Sequence, residues 1–313
     1  MNMKNVFLFV GLLALTSCSS VQIKRAEIQK KEQPKTSVTP APQTQPSEAQ
    51  LATEEPEEVV QEKPKIGLIL GPGAVRAYAH IGVLQELSKS KIPIHSIAGV
   101  EMGSLVGAIY SNKGQAYDVE WQMFKMKEED LIQKTFVSGA LKPLDVGTLQ
   151  PYLQTILGSA KVEEAKIPFA CPALNLAKNQ TYMMTKGAYT QMLPYCLPFA
   201  PLFHPYSQNV AAVADLASVA KYLRSKGATY LVYINLLPQQ GGMVMDQKEI
   251  LHASSWAALA QGIENQFQFV DKIVNIQVSQ YTLTDFAKRR EIMLKGQEAG
   301  RAAATQIIDQ FGF

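Results

Sequence analysis

The segment Gly99-Val100-Glu101-Met102-Gly103 constrains the fold of this chain more than any other. An apolar run, Ile92 to Ala98, leads into it, and a stretch rich in small residues, Met102 to about Asn112, follows it. Strand, glycine turn and helix form the layout of a nucleophile elbow, whose central residue occupies a strained turn and presents its side chain for attack. The central residue here is Glu101, so the pattern predicts an elbow in which another residue has taken the place of serine.

The composition is that of an ordinary globular protein, with 47% hydrophobic and 18% charged residues among 313. A formal net charge of +3 is too small to indicate nucleic acid, and no nucleic-acid partner is expected. The histidines are scattered without the spacing of metal ligands, so neither a metal nor another cofactor is predicted; they are His80, His95, His204 and His252.

The first 17 residues have the layout of a secretory signal, with a lysine at position 4 and an apolar run, Val6 to Leu15, too short to span a bilayer. The sequence Leu15-Thr16-Ser17-Cys18 resembles a bacterial lipobox, which implies that Cys18 is acylated and anchors the mature chain to a membrane. Ser19 in place of Asp resembles the sorting signal of outer-membrane lipoproteins, so we expect the periplasmic face of that membrane. A plain signal peptide with an incidental cysteine is the alternative.

Residues 18–63 are rich in Pro, Gln, Thr, Ser, Lys and Glu without apolar periodicity, which predicts a disordered tether after Cys18. From residue 64 to 313, apolar runs alternate with amphipathic stretches, which predicts one α/β domain with a parallel sheet flanked by helices. Strands are predicted at 65–70, 92–98, 167–174, 181–185, 229–237 and 272–278, and helices after residue 77 and at 102–112, 148–157, 213–226, 248–268 and 284–310.

A glycine-rich turn, Gly71-Pro72-Gly73-Ala74-Val75-Arg76-Ala77, joins the first strand to the first helix. Backbone N–H groups at the start of a helix attract anions. A dinucleotide site would need a third glycine where Arg76-Ala77 stands, so no nucleotide is predicted.

The order of these segments resembles the patatin-like phospholipase family, closest to its single-domain bacterial members. The resemblance rests on residues 71–84, 91–94, 97–110, 167–170, 196–205, 227–234 and 285–299. It implies a three-layer α/β/α domain with a mostly parallel central sheet. It also implies an acyl hydrolase with an elbow serine, an activating Asp in an Asp-Gly-Gly/Ala motif, and a glycine-rich oxyanion loop with an Arg.

Carried over residue by residue, the resemblance assigns Gly99 and Gly103 as elbow glycines and Glu101 as the residue at the nucleophile position. The oxyanion loop would comprise Gly71, Gly73, Ala74 and Arg76. The chain departs from the family at Glu101, and also at Pro72, which has no N–H, and at Ala77, where the family prefers glycine.

The catalytic Asp is ambiguous in this sequence. Counting back from Gly227 places it on Ala211-Ala212-Val213, which has no carboxylate, whereas counting forward from His204-Pro205 places it on Asp215. Either the Asp is absent, or Asp215 holds its place without the following glycine.

Two functions follow from these departures. In the first, Glu101 fills the vacated hydroxyl site and binds neighbouring donors, and the protein is a degenerate acyl hydrolase that binds a lipid, an acyl ligand or a periplasmic protein partner. In the second, Asp215 and Glu101 share a proton and activate a water, and the protein is an active lipid acyl hydrolase.

Two cysteines remain after Cys18, namely Cys171 and Cys196. They could form a disulfide in an oxidising compartment, but we expect them to be buried free thiols.

Overall fold

A computed structural model of the chain describes residues 62–134, 141–238 and 250–313, and the fold is given for these residues. The predicted signal segment, Cys18 and all but the last two residues of the predicted tether lie outside the described residues. Within the described ranges, no helix combines the length and the apolar character needed to cross a bilayer.

The described residues alternate between strands and helices. The strands are β1 (Ile66–Leu70), β2 (Ile94–Gly99), β3 (Gln133–Lys134), β4 (Leu141–Lys142), β5 (Phe169–Asn175), β6 (Gln180–Met184), β7 (Asn209–Ala211), β8 (Tyr230–Asn235) and β9 (Lys272–Asn275). The α-helices are α1 (Tyr78–Lys89), α2 (Met102–Lys113), α3 (Ala116–Lys125), α4 (Glu128–Leu131), α5 (Gln150–Leu157), α6 (Tyr189–Cys196), α7 (Leu216–Ser225), α8 (Ile250–Glu264) and α9 (Arg289–Phe311).

The central sheet has the strand order β6-β5-β2-β1-β8-β9. Neighbouring strands from β5 to β9 in this order run parallel, whereas β6 and β7 pair antiparallel with β5. The chain is therefore an α/β protein with a mostly parallel sheet, as the sequence predicts, and this is consistent with the three-layer arrangement.

Strand β1 lies at the centre because its five residues are all buried and pair on both sides, with β2 and with β8. A continuous apolar run is typical of a parallel strand covered on both faces. At the carboxyl end of the sheet, Leu70 of β1 pairs with Gly99 of β2 and with Ile234 of β8. The loops that follow β1 and β2 therefore emerge side by side, and this juxtaposition positions the site.

Helices α1 and α9 cross with almost no space between their backbones. A Cβ atom added at Gly296 would lie 1.8 Å from the carbonyl oxygen of Ala79, and one added at Gly82 would lie 2.2 Å from the carbonyl oxygen of Met293. Only glycine fits at such an approach, so these two positions fix how closely α9 packs on α1, the helix that follows the glycine-rich loop.

Several elements differ from those predicted. The sequence pattern predicts neither α3 nor the three-residue strand β7, and it does not predict α6, which carries Pro194 in its interior. The helix predicted from residue 213 begins at Leu216, because Asp215 is its N-terminal cap. Residues 248 and 249 of the predicted helix 248–268 lie outside the described residues.

A disulfide joins Cys171 of β5 to Cys196 at the end of α6, with their Cα atoms 5.9 Å apart. The expectation of two buried thiols was therefore wrong. The pairing depends on α6, which was not predicted and which brings Cys196 back to β5 within the distance that a disulfide requires.

Candidate active site

The elbow lies between β2 and α2, with Glu101 at the turn. Its backbone has φ 54° and ψ −129°, a conformation that costs energy in a residue with a side chain and that is concentrated at functional sites. A Cβ atom at Gly99 would lie 2.3 Å from the carbonyl oxygen of Gly103, and one at Gly103 would lie 2.5 Å from that of Leu70. Both elbow glycines are thus required by the close packing of helix and strand.

The glycine-rich loop after β1 runs beside the elbow and is anchored to the sheet. The N–H of Gly71 donates to the carbonyl oxygen of Ile234 (3.1 Å), and a Cβ atom at Gly71 would lie 2.7 Å from that same oxygen. The chain then turns through Ala74, whose φ is 50°, into a short 3-10 helix that leads to α1. Because Pro72 has no N–H, the next donors of the loop are those of Gly73 and Ala74.

Both of these donors bind the carboxyl group of Glu101. The Oε2 atom accepts hydrogen bonds from the N–H of Gly73 (3.0 Å) and from the N–H of Ala74 (2.8 Å). In an acyl hydrolase, paired backbone donors at such distances bind the developing oxyanion. The chain thus places its own carboxyl group against these donors, and the expectation that Glu101 binds neighbouring donors is confirmed.

The carboxyl group of Glu101 is shielded from solvent, with 0% of the residue exposed. Its second oxygen, Oε1, has no hydrogen-bond partner among the described residues. Burial raises the pKa of Glu101 from 4.5 to about 7, while the hydrogen bonds from the backbone of Gly73 and Ala74 act in the opposite direction. The carboxyl group therefore titrates near neutral pH.

Ser104, the hydroxyl residue next to the elbow, is also fully buried. Its Oγ donates to the carbonyl oxygen of Glu101 at 2.5 Å, and its backbone N–H donates to the same oxygen at 2.8 Å. The hydroxyl group therefore closes the first turn of α2, and this contact explains a serine at position 104 without a catalytic role.

Arg76 lies in the loop through its backbone, but its side chain points to another segment. The guanidinium is fully buried, and Nε donates to the carbonyl oxygen of Tyr281 at 2.9 Å, with a second donation from Nη2. The N–H of Val75 donates to the carbonyl oxygen of Leu283 (3.1 Å). Arg76 thus holds the segment before α9 against the glycine-rich loop.

His80 of α1 contacts the backbone of the glycine-rich loop at Gly71. Its Nε2 atom lies 2.8 Å from the carbonyl oxygen of Gly71, and because that oxygen only accepts, Nε2 carries the proton. Burial lowers the pKa of His80 to about 4, so the ring is neutral at physiological pH. This agrees with the prediction that His80 packs within the fold.

Asp215 is placed at the N-terminal cap of α7, where its Oδ1 accepts from the N–H of Ser218 at 3.0 Å. Within the described ranges, no hydrogen bond joins it to Glu101. Ala211, the last residue of β7, pairs with Ala173 of β5, and the N–H of the next residue, Ala212, donates to the carbonyl oxygen of Pro172. These alanines stand at one of the two positions considered for the catalytic Asp, and neither carries a carboxyl group. The other position is Asp215, whose activating role stays a prediction.

The described residues contain no group of three or more His, Cys, Asp and Glu arranged to hold a metal ion. His95, for example, lies within β2 and its Nε2 contacts the carbonyl oxygen of Lys226 at 2.8 Å.

A sequence profile of the patatin-like phospholipase family matches residues 68–230, just over half of the 313 residues. The chain belongs to this family. The matched range of this patatin-like protein includes the oxyanion loop, the elbow and the segment around Asp215, so the resemblance found in the sequence is confirmed at family level.

Relatives match the patatin-like protein over part of their length. A lysophospholipase NTE1 of Pyricularia oryzae is 26% identical over 154 residues, which is 48% of this chain and 10% of the relative. An uncharacterized NTE family protein of Mycobacterium tuberculosis is 25% identical over 158 residues, 49% of this chain and 42% of the relative. Among solved structures, VipD from Legionella pneumophila aligns with a TM-score of 0.45 and 10% identity, over 80% of this chain and 67% of that chain.

Proposed function

We propose that this protein is a catalytically degenerate patatin-like protein that binds an acyl ligand instead of hydrolysing it. One observation carries the proposal: the oxyanion donors of Gly73 and Ala74 are already bound to the carboxyl group of Glu101. A substrate carbonyl would have to displace that group before it could be polarised.

The chemistry of a carboxylate at the elbow points the same way. Attack by Glu101 on an ester would form a mixed anhydride, and an ionised carboxylate is a weak nucleophile compared with an activated serine. The carboxyl group is also fully buried, so neither an ester nor a hydrolytic water reaches it in this conformation. Ala211 and Ala212 beside β5 support the first alternative for the Asp, namely that it is absent.

The competing function is an active hydrolase in which Glu101 and Asp215 activate a water. One observation favours it, because a carboxyl group with a pKa of about 7 is suited to general acid–base work at neutral pH. Against it, the carboxylate of Asp215 is engaged in capping α7.

Ester and phospholipid hydrolysis by the full-length protein separates these functions, measured beside Glu101→Ser and Glu101→Ala. We expect no turnover by the natural chain. Turnover that Glu101→Ala abolishes would overturn the proposal, whereas turnover that persists in Glu101→Ala would come from another site. Activity gained in Glu101→Ser would show that the loop is competent once the carboxyl group is removed.

We further propose that Cys18 is acylated and anchors the domain to the outer membrane, facing the periplasm. The signal-like segment before Cys18 supports this, and so does the Cys171–Cys196 disulfide, because disulfides persist in oxidising compartments outside the cytosol. Metabolic labelling with a radioactive fatty acid tests it in a bacterial host. Label should be incorporated into the natural chain and lost in Cys18→Ala, and equal labelling of both would contradict the anchor.

A further inference from the structure

A cavity of about 370 Å³ lies between the segment 199–205 and helix α8. The lining residues are Pro143, Leu176, Phe199, Ala200, Phe203, His204, Pro205, Val210, His252, Ser255 and Trp256. Neither Glu101 nor any residue of the oxyanion loop lines it, so this cavity is separate from the elbow. Its volume is within the range of about 300–1,000 Å³ that is usual for sites of small ligands.

The burial of the lining residues orients the cavity. Trp256 and Phe203 are 1% and 2% exposed and form its floor, whereas His204 and Ser255 are exposed and form its rim. Leu176, at 50% exposure, adds an apolar group at the rim. An occupant therefore meets apolar surface at depth, and a hydroxyl and imidazole groups near solvent.

The largest side chain of the floor, Trp256, has no polar group available to a ligand. The indole N–H of Trp256 donates to the carbonyl oxygen of Ala200 at 2.9 Å, and its ring packs edge-on against Phe199 with centroids 5.4 Å apart. The deep part of the cavity thus selects for an apolar group without hydrogen-bonding needs.

The wall is fixed in place by backbone hydrogen bonds on both sides. The N–H of His204 donates to the carbonyl oxygen of Leu144 (2.9 Å), and the N–H of Ala211 donates to that of Pro198 (2.8 Å). A peptide in extended form would need such groups as partners, and here they are already paired. A preformed wall with paired backbone groups instead suits a ligand held by apolar contact.

We infer that this cavity binds a fatty acyl chain, with the polar head of the ligand at His204, His252 and Ser255. The inference rests on the proposed function and gives its ligand a place. The ligand would lie away from the elbow, where the donors of Gly73 and Ala74 are bound to Glu101, in a cavity lined by the segment after the disulfide and by α8.

Trp256 provides a direct readout, because the chain has two tryptophans and the other, Trp121, is 66% exposed on α3. In full-length protein carrying Trp121→Phe, a series of fatty acids from octanoate to palmitate is titrated below their micelle concentrations while Trp256 emission is followed. Affinity should rise roughly fourfold with each added methylene until the cavity is filled. Trp256 emission that does not respond, or an affinity independent of chain length, would overturn the inference.

Blocking the rim tests the location. Ser255→Phe places a large side chain at the mouth and should weaken palmitate binding at least tenfold, whereas Ala258→Phe, on an exposed position of the same helix outside the lining, should leave it within about twofold. Equal binding by the two variants, both with unchanged thermal unfolding, would overturn this site. A lysophospholipid with the same chain, compared with the free acid, distinguishes the two sources of the acyl group, and tighter binding of either one supports the site.

Failure of this inference can be told apart from failure of the proposed function. Palmitate binding that survives Ser255→Phe would rule out this cavity as the binding site but would still support acyl binding by the protein. If the natural chain binds no fatty acid at all, both the proposed binding site in the cavity and the proposed acyl ligand would be contradicted. The absence of hydrolysis is tested separately, in the ester assay of the natural chain and the Glu101 variants.

Discussion

The Oε2 atom of Glu101 lies 3.0 Å from the backbone nitrogen of Gly73, 28 positions earlier in the sequence. The contact joins the turn after β2 to the loop after β1, and Ala74 adds a second donor to the same oxygen. A glutamate side chain is long enough to reach donors that would otherwise bind an oxyanion of the substrate. The elbow and the loop are thus linked by the residue that replaces the nucleophile.

Protonation of Glu101 should make the stability of the protein depend on pH. Its pKa rises from the ordinary value of 4.5 to about 7 in the folded chain because the carboxyl group is buried, so the folded state binds the proton more tightly. The associated stability is fully present below about pH 4.5 and is lost as the pH rises through about 7. The difference in pKa corresponds to at most roughly 3–4 kcal/mol.

Urea unfolding of the natural chain and of Glu101→Gln at mildly acidic and mildly alkaline pH measures this effect. Gln keeps an acceptor oxygen for Gly73 and Ala74 and does not titrate. The natural chain should lose stability relative to Glu101→Gln as the pH rises. A constant difference between the two proteins, or one of opposite sign, would contradict a raised pKa.

The elbow glycines should not tolerate a methyl group. Gly103→Ala places a Cβ atom 2.5 Å from the carbonyl oxygen of Leu70, which is backbone and cannot rotate away, so we expect a loss of roughly 1–3 kcal/mol in the free energy of unfolding. Gly262→Ala is the matched control on α8, because its Cβ would meet no atom within 4 Å and alanine is the better helix former. Denaturant titration compares them, and equal stabilities would refute the packing argument.

Loss of the disulfide should destabilise the protein substantially. Cys171 and Cys196 are separated by 25 positions, a loop for which the chain-entropy estimate gives roughly 3 to 4 kcal/mol. We expect Cys171→Ala/Cys196→Ala to unfold at a correspondingly lower urea concentration. Adding a reductant should shift the natural chain in the same direction and leave the double variant unchanged, and an effect of reductant on both would point to another cause.

Arg76 should act as a structural anchor of the loop. Arg76→Ala leaves the carbonyl oxygen of Tyr281 without these donors and opens a buried space, which should cost roughly 3 kcal/mol or more. Arg76→Lys should recover only part of this, because lysine cannot reproduce the planar, forked guanidinium. Arg290→Ala, at an exposed arginine over the ring of Phe124, should cost about 1 kcal/mol or less. Comparable losses in thermal unfolding for Arg76→Ala and Arg290→Ala would contradict the anchor.

Local patterns were enough to predict the central part of the fold and the elbow. Apolar runs identified β1, β2, β5 and β8, because buried parallel strands need continuous apolar sequence. The elbow and the loop were also predictable, since glycine spacing reflects local turns. The pairing of Cys171 with Cys196 was not, because it depends on α6, a helix whose Pro194 argues against it in the sequence.

The site was harder to predict than the fold, because its key contacts join distant parts of the chain. The sequence predicted that Glu101 would accept hydrogen bonds from donors near the elbow. It did not identify Gly73 and Ala74 as those donors. The destination of the Arg76 side chain, 205 positions away at Tyr281, left no local signal. The cavity beside Trp256 likewise forms from segments that no motif connects.

The buried carboxyl group at position 101 also decides how this protein can be detected. Surveys of serine hydrolases use electrophilic probes that form a covalent bond with an activated hydroxyl group at the elbow. Here the elbow offers such a probe no hydroxyl, and the side chain that it does carry is shielded from solvent. Labelling profiles made with such probes will therefore pass over this family member however abundant it is, and its peptides or an antibody must be used to count it.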